Sequence, residues 1–146
     1  MDAMTVHKMR PEDQLQKTVA QILDASGLVW SATANGAFLQ GNAQQRAIRG
    51  MRMKQHGVKN GLPDCLIFQP FPDPGSDESD RDLNEVRGYW INGLAIELKV
   101  GKNKPSPSQE EWAGKLRGCG WRVETLRSVD EVLTVLRECY PERFPI

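Results

Sequence analysis

A dominant sign of charge is the first thing this chain lacks: 19 lysines and arginines meet 19 aspartates and glutamates, for a formal net charge of zero. That argues against gripping a polyanion through bulk charge. Cysteine is scarce, with only Cys65, Cys119 and Cys139 and no CxxC spacing. Neither a zinc site nor a disulfide framework is supported, and reduced, buried thiols are expected. No apolar run approaches the roughly 20 residues of a membrane span. The opening Met1-Asp2-Ala3-Met4-Thr5 has no signal-peptide core, so the expected compartment is the cytoplasm. Internal repeats are absent. What remains is ordinary: 39% hydrophobic and 26% charged residues over 146 positions. Those proportions fit one soluble domain over residues 1–146, large enough for a core without staples.

Zero net charge conceals a segregation. From Gly36 to Pro63 there is no acidic residue, while Arg46, Arg49, Arg52, Lys54 and Lys59 are basic. From Asp73 to Glu85 the balance reverses, with Asp73, Asp77, Glu78, Asp80, Asp82 and Glu85 against Arg81 alone. Such asymmetry points to one face for phosphates and another for solvent.

Between these blocks and just beyond them lie two apolar runs that carry charge. The first is Gly61-Leu62-Pro63-Asp64-Cys65-Leu66-Ile67-Phe68, and the second is Gly93-Leu94-Ala95-Ile96-Glu97-Leu98-Lys99-Val100. Each is bounded by glycine or proline and reads as a short buried strand. In the second, the side-chain period of two places Ile96 and Leu98 on one face, Glu97 and Lys99 on the other. Asp64 opens the first strand directly after a proline that restrains the chain there. Two carboxylates make a hard oxygen site for an ion such as Mg²⁺. A neighbouring lysine can hold the attacking water or stabilise charge building on a phosphate. Singly, Pro-Asp is a common turn opener and Glu-x-Lys an ordinary ion pair; in order, each on its own strand, they favour a phosphodiesterase.

At these residues the chain resembles the PD-(D/E)xK nuclease superfamily, with Pro63-Asp64 and Glu97-Leu98-Lys99 as the two halves. Gly61-Leu62-Pro63-Asp64 resembles the VRR-NUC branch in particular, which includes small stand-alone phage and bacterial proteins. The resemblance runs from Pro11 to Leu136. It implies an α/β, restriction-endonuclease-like fold with Asp64, Glu97 and the Leu98 main-chain carbonyl as ligands for Mg²⁺ or Mn²⁺. Lys99 would then activate water. It also implies a homodimer cutting branched DNA such as four-way junctions, in a bacterial or phage-infected cell.

Taken in order, residues 1–10 read as a loose leader. Pro11 suits the first position of a helix, and Leu15, Val19, Ile22 and Leu23 form its apolar stripe, ending before Gly27. Glu12 falls at the edge of that stripe. An acid in the first turn complements the helix dipole, while the family pattern of a glutamate followed four residues later by glutamine, here Gln16, implies a site role. Residues 28–33 read as a strand closed by an Asn35-Gly36 turn. Asn35-Gly36 also resembles the family's Pro-Asn-Gly stretch, although Ala34 stands where proline is usual.

Residues 42–56 read as a helix, with Ala43, Ala47, Ile48 and Met51 as a weak inward stripe and Arg46, Arg49 and Lys54 outward. As a group its cations suit a phosphate backbone; individually each is equally well explained as solvated surface. His56 reads as a turn or surface residue. Residues 69–92, with Pro70, Pro72 and Pro74, read as an acidic loop insertion, Trp90 and Ile91 returning the chain to the sheet. Lys102 and Lys104 extend the positive charge past Lys99.

Ser106-Pro107-Ser108-Gln109 starts the next helix, and Gln109 completes a capping box. The family instead treats this glutamine as part of its site, and a single side chain is expected to choose one partner. Trp112, Leu116 and Cys119 follow as core. Residues 121–126 form a last strand with Val123 inward, and Ser128 caps a final helix burying Val132, Leu133 and Leu136 before Pro141. The order is helix, strand, basic helix or loop, strand, strand, helix, strand, helix: layers around a small mixed sheet. The runner-up reading is a nucleic-acid-binding module that kept a nuclease fold without catalysis. An interaction protein docking through Trp90 and the acidic loop has no specific support.

Overall fold

The structure is a computed structural model that describes residues 10–33, 41–74 and 90–145. The proposed Asn35-Gly36 turn and most of the acidic insertion lie outside the described residues. The elements in order are α1 (Pro11–Ser26), β1 (Trp30–Ala32), α2 (Ala43–Gln55), β2 (Cys65–Ile67) and β3 (Phe71–Pro72). There follow β4 (Trp90–Ile91), β5 (Leu94–Leu98), α3 (Pro107–Gly118), β6 (Arg122–Leu126) and α4 (Val129–Cys139).

A four-stranded sheet has the order β1-β2-β5-β6. Its first three strands are antiparallel, with Cys65 opposite both Ala32 and Ile96. β6 lies parallel to β5, so Glu97 pairs with Thr125 and Leu98 with Leu126. The sheet is therefore mixed. All five residues of β5 are buried, as expected of a central strand covered on both faces.

One face of the sheet holds the core. Leu15, Val19 and Leu23 of α1 and Val132, Val135, Leu136 and Cys139 of α4 pack with Cys65, Ile67, Leu94, Ile96 and Leu98. Burying each aliphatic side chain is worth roughly 1.5–3 kcal/mol. Proline at the first helical position and Gly27 in the left-handed region (φ +74°) bound α1 where its stripe begins and ends. Arg122 ties β6 to α4 by reaching Glu138 at 2.7 Å, and pairs along its own strand with Glu124 at 3.0 Å.

Five expectations are corrected. Residues 69–92 are not loop throughout: β3 and β4 pair as a separate two-stranded ribbon, so Trp90 and Ile91 do not rejoin the main sheet. Pro72 fits because a ribbon has edges, and Phe71 is anchored by an edge-to-face contact with Tyr140, 5.2 Å between centroids. Tyr140 also donates to the Gln69 carbonyl at 2.8 Å. Second, the stripe Ala43, Ala47, Ile48 and Met51 is not buried; Ile48 is 44% and Met51 59% exposed. Gly50 and Met53 are the half-buried positions of α2, so the helix is turned away from its expected orientation. Third, α3 buries no residue completely: Trp112 and Leu116 are half-covered and Cys119 is exposed. Fourth, only Cys65 and Cys139 are buried thiols. Fifth, in the final helix Val135 is buried and Leu133 half-covered, a rotation of the expected face.

Candidate active site

β2 and β5 are neighbours, which brings the two charged motifs together. Asp64 immediately precedes β2, and its Oδ2 accepts from the Leu98 amide at 2.7 Å, clamping the first motif to the end of the second. Thr33 secures the same corner from the other side: its amide donates to the Asp64 carbonyl at 2.9 Å, and its hydroxyl to the Pro63 carbonyl at 2.8 Å. Thr33 thus fixes the main chain at Asp64, and the Leu98 amide fixes its side chain.

Glu97 sits in the middle of β5's buried run, only 4% exposed. A buried carboxylate needs partners. Oε1 has two: Gln109 Nε2 at 2.7 Å and Lys99 Nζ at 3.6 Å. Oε2 is buried with no hydrogen-bond partner among the described residues. Burial first, and the adjacent Asp64 carboxylate second, push the Glu97 carboxyl up to about 8, against a smaller opposing pull from Lys99. Asp64 is also raised, by burial and by the charge of Glu12, with the Leu98 hydrogen bond pulling the other way. With nothing bound, this pair holds a proton that two facing carboxylates cannot both release.

Gln109 does not have to choose. Its Oε1 accepts from the Ser106 amide at 2.8 Å and the Ser106 hydroxyl accepts from its amide, completing the capping box. Its Nε2 remains for Glu97. The expectation of exclusive partners is overturned because a primary amide has two polar ends. α3 comes this close because position 61 has no side chain. Gly61 has φ +94°, and an added Cβ would stand 2.5 Å from the Ser108 carbonyl oxygen.

Other proposed residues are spread more widely. Glu12 is near enough for its charge to act on Asp64, and it is half-buried. Arg46, Arg49, Arg52 and Lys54 are exposed on α2, Lys59 follows that helix, and Lys102 and Lys104 are exposed on the loop between β5 and α3. His56 is exposed at the end of α2. Sequence reasoning missed Thr33 and the Leu98 amide, whose roles depend on pairing. It also missed Gln16's contact, which donates to Cys65 Sγ at 3.5 Å.

Among the described residues no group of three His, Cys, Asp or Glu side chains converges as a metal cage. Two carboxylates with one unpartnered buried oxygen instead suit Mg²⁺, which keeps several waters and takes one or two carboxylates. The donor set fits.

A model of the VRR-NUC domain family matches residues 10–130. The chain belongs to the VRR-NUC family. This is a nuclease-type family, and the mixed α/β layers agree with its restriction-endonuclease-like fold. A solved VRR-NUC domain protein is similar to the chain with a TM-score of 0.55 and 20% identity, over 86% of this chain and 84% of that one. No curated protein matches. As a VRR-NUC protein the chain has DNA as the substrate its family implies, and no helix among the described residues is long and apolar enough to cross a membrane.

Proposed function

We propose that this VRR-NUC protein is a Mg²⁺- or Mn²⁺-dependent endonuclease that hydrolyses phosphodiesters in branched DNA as a homodimer. One observation carries the reading: buried Glu97 keeps an unpartnered oxygen beside an Asp64 fixed by the Leu98 amide. A protein that only bound DNA would gain nothing from burying one carboxylate beside another, because burial and mutual repulsion are costly and neither carboxylate attracts phosphate.

Asp64 and Glu97 would hold the ion with the Leu98 main-chain carbonyl, and the bound ion would supply Lewis-acid stabilisation and an acidified water. Lys99, 3.6 Å from Glu97 Oε1, orients the water and offers charge to the phosphate. Gln109 fixes the rotamer of Glu97 through Oε1 and so leaves Oε2 for the ion. Glu12 raises the negative potential at Asp64 and thereby the attraction for a cation. The cations of α2, with Lys59, Lys102 and Lys104, contact the DNA backbone. A homodimer would set two such sites on the equivalent strands of a two-fold junction.

A panel of linear, nicked, flapped and four-way DNAs, incubated with Mg²⁺ or Mn²⁺, tests this with wild type and Lys99→Ala side by side. Cutting should require metal, favour branched DNA and vanish in the variant. Equal cutting by both proteins would overturn the assignment.

A further inference from the structure

Beside Glu97, between the sheet and α3, lies a cavity of about 340 Å³, within the size range of small-molecule pockets. Its walls include Pro63, Pro105 and Ala113, and its polar groups Glu110, Arg117 and Thr125. Thr125 belongs here because parallel pairing sets it beside Glu97. The Arg117 guanidinium is held across the far end by donating to the Val123 carbonyl at 3.1 Å.

The charge balance decides what fits. The carboxylates Glu97 and Glu110 are offset by the Arg117 guanidinium and by Lys99, whose Nζ is 3.6 Å from Glu97 Oε1, so the cavity has no surplus positive charge to attract a phosphate. A flat neutral group suits the cavity better. Proline and alanine give it apolar walls, Arg117 a planar stacking surface, and Glu110 and Thr125 hydrogen-bonding groups.

Resting on the nuclease reading, we propose that this cavity receives the branch-point nucleobase adjoining the scissile phosphate, where continuous stacking is interrupted. Branched DNA is thereby selected through its unstacked nucleotide, because a base held in a duplex must first be extruded at a cost of a few kcal/mol.

The test uses Ala113→Leu, which fills the cavity, and Thr125→Leu at an exposed strand position in case the first variant fails to fold. Metal-free protein is titrated with a branched oligonucleotide carrying 2-aminopurine at the branch-point nucleotide, whose fluorescence rises when the base leaves its neighbours. A rise with wild type that is lost with the variants supports the pocket; no rise, or the same rise with all three, overturns it. In a second arm, wild type should cleave base-bearing DNA about tenfold faster than DNA abasic at that nucleotide, and the variants should lose this discrimination. Unchanged discrimination with fewer Mn²⁺ ions bound to the variants would mean a cation site instead and overturn the proposal. The fluorescence arm needs no cleavage, so absence of cutting by wild type counts against the nuclease and not against the pocket.

Discussion

Gln109 joins the helix cap to the site: its Nε2 donates to Glu97 Oε1 at 2.7 Å, while its Oε1 accepts from the Ser106 amide at 2.8 Å. The two jobs separate by substitution. Gln109→Ala should cost about 1 kcal/mol of stability through the lost capping box and about 10–100-fold in cleavage through the misplaced Glu97. Gln109→Glu keeps an acceptor for Ser106 but sets a third carboxylate against Glu97. Thermal melts should then show the cap retained while metal-dependent cleavage falls at least as far. Loss of both in proportion would mean that the residue only holds the helix.

Metal binding and catalysis should come apart along the trio. Asp64→Asn and Glu97→Gln are expected to abolish measurable Mn²⁺ binding by calorimetry. Lys99→Ala should retain the ion and lose cleavage by about 10²–10⁴-fold, the usual range for a positioned proton-transfer or water-orienting group. Loss of Mn²⁺ in Lys99→Ala would assign the lysine to holding Glu97 rather than water.

The raised carboxyl of Glu97 gives a stability signature with a definite sign. Its ordinary value is 4.5 and the folded value about 8, so the folded state binds the proton more tightly than the unfolded one. Stability of the metal-free protein is therefore greatest below about 4.5 for this group and declines as pH rises towards about 8. Glu97→Gln should remove that decline and be the more stable protein at neutral pH, by on the order of 1 kcal/mol or more. Added Mg²⁺ should reverse the slope, since binding expels the proton. Urea melts from pH 5 to 9 read all three effects, and a wild type whose stability rises through this window would remove Glu97 as the proton holder.

On the basic helix, Arg46→Gln, Arg49→Gln and Arg52→Gln should each weaken DNA binding without sequence preference. Each should reduce the slope of log affinity against log salt by about 1 for every phosphate contact removed. An unchanged slope would make that arginine solvated surface.

Thiol reactivity should divide two to one. Burial pushes Cys65 up to about 12 and Cys139 up to about 11, and only the thiolate reacts. Cys119 is exposed. Folded protein is expected to take one equivalent of an alkylating reagent, lost in Cys119→Ser; three equivalents would mean an open core.

Asp64, Glu97 and Lys99 were legible because charge inside short apolar runs breaks the pattern that burial imposes, and strand period alone sets Glu97 beside Lys99. The helix boundaries followed from local chemistry: Pro11, Gly27, Ser106 and Ser128 act within a turn of where they stand. What stayed hidden depends on partners far along the chain. Thr33 looks like any strand residue until β1 pairs with β2. The orientation of α2 was misread because four weakly apolar positions in a polar helix define no strong face, and Gly50 and Met53 took the inner side. α3 was read as core because Trp112 and Leu116 are large and apolar, yet it lies over a cavity and Glu97 rather than over an aliphatic layer.

At Gly61 a methyl group would collide with the Ser108 carbonyl, one residue short of the amide that touches Glu97. The spacing between the loop and the helix start is thus gauged by a bare α-carbon. Any side chain there would wedge α3 outward and loosen the bond between Gln109 and Glu97. A residue with no chemistry of its own sets the tolerance for everything the charged groups can do.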